Sequence, residues 1–169
     1  MIRHLLAALT LVLPVPVTGA AAQSAPPVTV FVVRHAEKGP ENPDPSLSAA
    51  GHKRAEALAR LLADARISAV FASEFKRTRE TVAPLAAAGG FSTQVIPATA
   101  LDSLVGRLRA LPPGSRAVVA SHSNLVHLIV EKLSGVTLTP LTDLDYDRLV
   151  VVTLQDGRGE VVVLRYGER

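Results

Sequence analysis

Three compact runs of apolar and β-branched residues, VTVFVV at 28–33, ISAVFA at 67–72 and AVVA at 117–120, are separated by segments whose apolar positions recur at helical spacing. Short runs without polar alternation suit strands covered on both faces of a sheet. Between the first two, Ala55, Leu58, Ala59, Leu62 and Ala65 mark one face of a helix, with Lys53, Arg54, Glu56 and Arg60 expected to face water. Ser48 is placed to cap this helix and Leu47 to staple it, while Gly51 weakens its first turn by up to about 1 kcal/mol relative to Ala.

The rest of the pattern continues the alternation. A helix is predicted from about Phe75 to Ala88, bent or divided at Pro84 because proline lacks the donor for its i to i−4 bond, and ended by Gly89 and Gly90. TQVI at 93–96 is a candidate short strand, and Leu101, Leu104, Val105, Leu108 and Leu111 mark a helix stopped by Pro112, Pro113 and Gly114. Leu125 to Leu133 form another helix, with Gly135 as its terminator. Arg148 to Leu154 and Glu160 to Arg165, joined by a turn with Asp156-Gly157, form a hairpin. The expected architecture is an α/β three-layer sandwich, with a mostly parallel central sheet, helices on both faces and an antiparallel edge. One domain accounts for residues 28–169.

Residues 1–22 do not belong to that pattern. A basic start at Arg3 and His4, an apolar run from Leu5 to Val17 and the small residues Ala20 and Ala22 have the order of a secretory signal peptide. The run is interrupted by Pro14 and Pro16 and is shorter than the roughly 20 apolar residues that a spanning helix needs. A mature chain from residue 23, with a polar and Pro-rich spacer at 23–27, is therefore expected to be periplasmic or secreted, without stable insertion in a membrane. It retains 17 basic and 15 acidic residues, an excess too small and too scattered for a nucleic-acid binder. With no cysteine, cysteine-based catalysis, thiolate metal sites and disulfides are ruled out, and stability must come from packing.

Polar residues directly beyond the apolar runs are the candidate chemistry, because ligands of open α/β sheets bind outside the carboxyl ends of the strands. They are Arg34 with His35, the segment Ser73 to Thr81, and Ser121 with His122. Arg34 and Arg77 offer permanently charged forks of donors that match phosphate oxygens. Helix starts after Ser73 and near Ser123 add amide donors and a positive dipole end. An imidazole attacks phosphorus only through an unprotonated nitrogen, and neighbouring arginines favour that neutral form. His35 is thus a candidate covalent nucleophile and His122 a donor to the phosphoryl oxygens.

A leaving alkoxide also needs a proton. Asp102, which opens the helix after 93–96, is the candidate acid, although an ordinary helix-capping role suits it equally; Glu37 is a reserve. Glu80 can pair with a neighbouring base, and Glu41 and Asp44 belong to a solvated loop. No H-x-x-x-H pair or dense carboxylate cluster supports a metal site, and no cofactor is implied.

VVRHAEK at 32–38, LSAAGHKRAEALA at 47–59, FASEFKRTRETVAPL at 71–85 and VVASHSNLV at 118–126, in this order, resemble the histidine phosphatase superfamily, the phosphoglycerate mutase-like group. The resemblance implies phosphorylation of His35, phosphate binding by Arg34 and Arg77, and a second active-site histidine at His122. Two departures stand out: Ala36 follows the nucleophile where the family commonly has Gly, and the nearest match to the family's acidic Glu is Asp102, 25 residues after Arg77. The chain has little material for a substrate-capping insertion, which makes it similar to the compact phosphohistidine phosphatase type. The expected activity is metal-independent hydrolysis of a phosphomonoester or phosphoramide, carried by a small molecule or by an envelope component. A phosphate-binding module without effective turnover and a phosphomutase are the alternatives.

Overall fold

The computed structural model describes residues 24–168. The signal-peptide assignment at 1–22 lies outside the described residues.

Val28–Arg34 (β1), Ala69–Ala72 (β2), Thr93–Val95 (β3), Arg116–Ser121 (β4), Arg148–Gln155 (β5) and Arg158–Arg165 (β6) form one sheet in the order β3-β2-β4-β1-β5-β6. The pairs β2 with β3, β2 with β4 and β1 with β4 are parallel; β5 runs antiparallel to both β1 and β6. Asp156 and Gly157, both at positive φ, make the two-residue turn of the β5–β6 hairpin, as an Asp-Gly pair predicts.

Four helices cover the sheet: Ala49–Leu61 (α1), Lys76–Gly89 (α2), Leu101–Arg109 (α3) and Ser123–Ser134 (α4). Leu58 and Leu62 with Val82 and Leu85 pack under α1 and α2 on one face, against Val33, Val70 and Val118. Leu104 and Leu108 with Val126 and Ile129 fill the other face under α3 and α4, against Val30, Val32, Phe71 and Val119. The β1 residues Val32 and Val33, both fully buried, serve opposite faces, which is why their run carries no polar alternation.

Local signals acted largely as expected. The Ser48 side chain accepts from the amide of Gly51 at the start of α1, and Gly135 ends α4 in the left-handed region. Two expectations need correction. Pro84 does not divide α2, which runs unbroken from Lys76 to Gly89. Arg54 does not face water but is buried, for reasons given below. Gly51 has a steric purpose, since a Cβ there would collide with the Glu37 carbonyl.

Candidate active site

β1, β4 and β2 are neighbours, so the residues that leave their carboxyl ends meet without long reaches. Arg34 pairs with Ser121 in the β1–β4 register, and the amide of His35 donates to the Ser121 carbonyl at 2.8 Å. His35 and His122 therefore emerge level from adjacent strands, with ring centroids 5.5 Å apart in an edge-on arrangement. Both are buried, as is Arg34.

The tautomer of each imidazole follows from its partners. Nδ1 of His35 lies 2.8 Å from the Ala36 carbonyl, which can only accept, so Nδ1 carries the proton and Nε2 keeps its lone pair. Burial pushes the His35 pKa down from 6.5 to about 3; the bond to Ala36 opposes this, and the charges of Arg34 and Arg77 and the field of His122 reinforce it. His35 is a neutral nucleophile at any pH of interest.

His122 faces a donor on one side, because Nη2 of Arg77 is 3.5 Å from its Nδ1. Its Nε2 then bears the proton and donates to Ser73 Oγ at 2.9 Å. Ser73 passes its own proton toward Thr78 Oγ1 at 2.9 Å, and Thr78 donates to the Phe75 carbonyl at 2.8 Å. This chain leaves Nδ1 of His122 as the acceptor beside Arg77. Burial, then the Arg77 charge, lower the His122 pKa to about 4; Glu74 opposes the shift and Arg34 adds to it.

The guanidinium groups are held by protein and still have a donor each to spare. Nη1 of Arg34 donates to the Thr142 carbonyl at 2.8 Å, Nη2 to Tyr146 Oη at 3.3 Å, and the group lies 4.0 Å over the Tyr146 ring. Arg77 stacks on Phe75 at 4.4 Å, with Asp44 3.7 Å from its Nη1. Among the described residues, Nε of Arg34 and Nε of Arg77 are buried without a hydrogen-bond partner. Each orphaned donor is costly unless an acceptor fills it, and the acceptor that suits two cationic forks at once is a multivalent oxyanion.

The loop after His35 is braced from three sides. The amide of Ala36 donates to Thr81 Oγ1 at 2.9 Å, and Thr81 donates to the Arg77 carbonyl, which ties the nucleophile's backbone to α2. Glu80 accepts from the Leu47 amide at 2.7 Å. Glu37 takes a two-pronged grip from Arg54, whose Nη1 and Nη2 also donate to the carbonyls of Tyr166 and Glu168.

The assignments of the proton donor are corrected by these positions. Asp102 lies in the first turn of α3 with its side chain almost wholly exposed, 2.9 Å from Nζ of Lys132 on α4, and it does not line the cleft. Glu37, the reserve, is committed to Arg54 and also does not line the cleft. The α2 amino end is likewise taken, because Asp44 accepts from the Lys76 amide. The amino end of α4 does open on the site, with Ser123 and Asn124 in its wall. His127 and His52 lie elsewhere, on α4 and α1.

Sequence reasoning missed several contributors. Ser73 was flagged by its position after a strand, but not as the partner of His122. Phe75 and Thr81 fall in the segment expected to carry chemistry, but the stacking of Phe75 on Arg77 and the bond from the Ala36 amide to Thr81 have no signal in the sequence; Lys38 and Asp143 reach the cleft only through the fold. The cleft has a volume of about 600 Å³. Arg34, Lys38 and Asp143 give its lining charge, and Phe75, Ala98, Leu101 and Leu125 give it apolar surface. Among the described residues no group of three His, Cys, Asp or Glu is arranged to hold a metal ion.

The family model of the histidine phosphatase superfamily (branch 1) matches residues 30–104, a span that includes Arg34, His35 and Arg77. A search of curated proteins finds no match. Among solved structures, the protein histidine phosphatase SixA complexed with tungstate is similar, with 23% identity over 81% of this chain and 96% of that one, at a TM-score of 0.67. Mycobacterial glucosyl-3-phosphoglycerate phosphatase shares 14% identity over 83% of this chain and 99% of its own, at 0.66. The same enzyme in complex with VO3 gives 14%, 82%, 99% and 0.65. At such identities these likenesses establish a common fold. Residues 30–104 thus match the histidine phosphatase superfamily (branch 1), on a fold shared with these phosphatases.

Proposed function

We propose that the protein is an exported phosphatase that works without a metal ion, through a phosphoryl group carried on Nε2 of His35. The observation that carries this reading is the neutral, lone-pair-bearing nitrogen of a buried imidazole set beside two guanidinium groups whose Nε donors have no other partner. The substrate is a phosphomonoester or phosphoramide, of a small molecule or an envelope component. The tungstate and VO3 complexes of structural neighbours accord with a site for oxyanions. Export rests on the basic, apolar and A-x-A order of residues 1–22.

In the first half-reaction the His35 lone pair attacks phosphorus, the bond to the leaving atom breaks, and the electron pair departs with it. Arg34 and Arg77 hold the phosphoryl oxygens and need not move, since each is fixed by stacking and hydrogen bonds. A bound dianion raises the proton affinity of His122 at Nδ1, where an imidazolium donates to a phosphoryl oxygen. Water then attacks phosphorus in the second half-reaction, releasing phosphate and restoring His35.

The test is phosphate release from an activated aryl phosphate by residues 23–169 in excess EDTA, beside His35→Ala. EDTA-resistant turnover that is abolished by the substitution supports the reading. Among the described residues the one carboxylate lining the cleft, Asp143, is fully exposed and beside Arg34, which favours a second reading, a binding module that does not turn over; it predicts tight phosphate binding with no release from any ester.

A further inference from the structure

We propose that the outer edge of β6 is a docking surface for a second copy of this chain, with the two β6 strands paired antiparallel about a two-fold axis at Val162. The proposal stands apart from the phosphatase reading above and needs no step of it.

The first observation is an unguarded edge. β6 ends the sheet, with β5 on its inner side and no strand on its outer side among the described residues. It pairs with β5 along all 8 of its residues without a bulge and contains no proline. Its charged residues, Arg158, Glu160 and Arg165, stand toward its ends, and Arg165 is tied to Asp147 at 2.6 Å. Between them run Val161, Val162, Val163 and Leu164, the last three 54%, 47% and 46% exposed. Chains that stay monomeric interrupt such an edge with a charge, a bulge or a proline. The middle of β6 has none of these.

The second observation is which groups turn outward. The Tyr166 amide donates to the Asp147 carbonyl at 2.9 Å, so the pair that follows Arg148 and Arg165 in the β5–β6 register is a hydrogen-bonded one. Bonded and non-bonded pairs alternate along an antiparallel ladder. Glu160, Val162 and Leu164 therefore direct their main-chain groups to β5, while Gly159, Val161, Val163 and Arg165 direct theirs to the open side. Side chains alternate as well: Val161 and Val163 lie opposite Val152 and Val150 on the α3–α4 face, and Leu164 lies opposite Leu149 on the other.

The third observation is that this edge fits itself. With Val162 opposite its own copy on the axis, Gly159 meets Arg165 and Val161 meets Val163, reciprocally, and all four outward-facing residues are bonded. A shift of two residues either way leaves one of the four without a strand partner, and a shift of one sets facing side chains on opposite faces. No charge then opposes a like charge, since Glu160 meets Leu164 and the long Arg165 meets a residue without a side chain. Gly159 must be glycine for an independent reason, because a Cβ there would collide with Ser134 at the end of α4. Such reciprocal fit belongs to an isologous contact and not to an arbitrary foreign strand. An edge-to-edge contact of one short strand per copy is smaller than the roughly 1,200 Å² at which stable complexes begin, so the expected Kd is about 10–100 μM. An axis normal to the sheet reverses the strand direction, so the two clefts open at opposite ends and neither is covered.

The experiment is sedimentation velocity on residues 23–169 from about 1 μM to about 1 mM, a span that brackets this Kd, with Val162→Lys, Val162→Glu and Val163→Pro beside the wild type. The wild type should pass from monomer to dimer, and each variant alone should bind its own copy at least about tenfold more weakly. Val163→Pro deletes an outward amide and leaves the β5 bonds in place. Mixing the Lys and Glu variants should restore the dimer, because position 162 faces itself. Amide exchange at Val161 and Val163 should slow with concentration in the wild type only, while phosphate release per chain stays level. Circular dichroism reports the fold of each variant, and the two exposed Val162 changes decide the matter if the proline variant does not fold. A wild type that is monomeric at 1 mM overturns the proposal, as does a dimer that survives every variant. Two monomeric Val162 variants that do not recombine overturn the axis. Slow exchange at Val161 and Val163 in a monomer also overturns it, assigning the edge to the chain's own first residues if it needs 1–22, or to a foreign strand if it needs an added extended peptide.

Discussion

Arg54→Ala tests how the nucleophile's loop is anchored. The Arg54 side chain is 9% exposed and its Glu37 partner 23% exposed. Nε reaches both carboxylate oxygens at 2.9 and 3.0 Å, Nη2 reaches one at 2.7 Å, and Nη1 and Nη2 also donate to the carbonyls of Tyr166 and Glu168 at 2.9 and 2.7 Å. Burial disfavours the charge on Arg54, but the bonds and field of Glu37 overcome this, and the guanidinium ends more firmly protonated than a free one. Truncation leaves a carboxylate and two carbonyls without their donor. Breaking a buried pair costs about 3–5 kcal/mol, and partial exposure of Glu37 places this one near the lower end, about 3 kcal/mol. For a domain of this size that lowers Tm by roughly 6–12 °C.

Urea unfolding followed by circular dichroism, with thermal melts beside it, measures the loss. A cycle with Glu37→Ala and the double variant isolates the pair, which should show a coupling of about 1–3 kcal/mol. Arg54→Lys should recover only part of the loss, since an ammonium cannot span the carboxylate and both carbonyls. An Arg54→Ala loss below 1 kcal/mol, or purely additive variants, would refute the idea that this arginine is a clamp.

Three further outcomes are expected. Asp102→Asn should leave kcat/KM for aryl and alkyl phosphates within about twofold of wild type, because the carboxylate pairs with Lys132 outside the cleft; a drop of two decades, in the range of a lost general acid, would restore it as the acid. Ser73→Ala should lower kcat about tenfold or more with little change in KM, since the lost acceptor frees His122 to take the wrong tautomer, and the Nε2–H resonance of His122 in the proton spectrum should shift or vanish. Both imidazoles titrate lower when folded, near 3 and 4, than unfolded, near 6.5, so the unfolded chain binds protons first as pH falls. Stability is therefore full above about pH 6.5 and is lost below it by up to about 1.4 kcal/mol per pH unit for each imidazole, toward the folded values; urea midpoints at pH 7, 5.5 and 4.5 should fall more steeply than those of the His35→Gln/His122→Gln protein.

Much of this was legible in the sequence because strands buried on both faces announce themselves. Val30, Val32 and Val33 in β1 and Val118 and Val119 in β4 are apolar without alternation, and the polar residues that follow them, Arg34, His35 and His122, have few other reasons to be there. Spacing failed where a long-range partner decided the outcome. Arg54 occupies a position that helical periodicity assigns to water, yet it is drawn inward by Glu37 and by carbonyls more than a hundred residues away. Asp102 was attractive for following a strand, but α3 turns that side chain toward α4. Tyr146 lies in a loop with no periodic pattern, and its role as the platform for Arg34 exists only through tertiary contact.

The order of the strands explains why the two histidines share one cleft. From β1 the chain passes to α1 on one face of the sheet, and from β4, its immediate neighbour, it passes to α4 on the other. Neighbouring strands whose continuations part to opposite faces leave a crevice at their carboxyl ends, and His35 and His122 stand on its two lips. Burial in that crevice then does electrostatic work. It keeps both imidazoles neutral, so the charge set directly beside them is that of two guanidinium groups, a match for one phosphate dianion. Had His35 kept its ordinary proton affinity, it would lose nucleophile to protonation near pH 6.5, and the empty site would carry a third positive charge beside Arg34 and Arg77. The same desolvation that makes the nucleophile available thus costs the protein stability in acid, and both effects should be lost together when the crevice is opened to water.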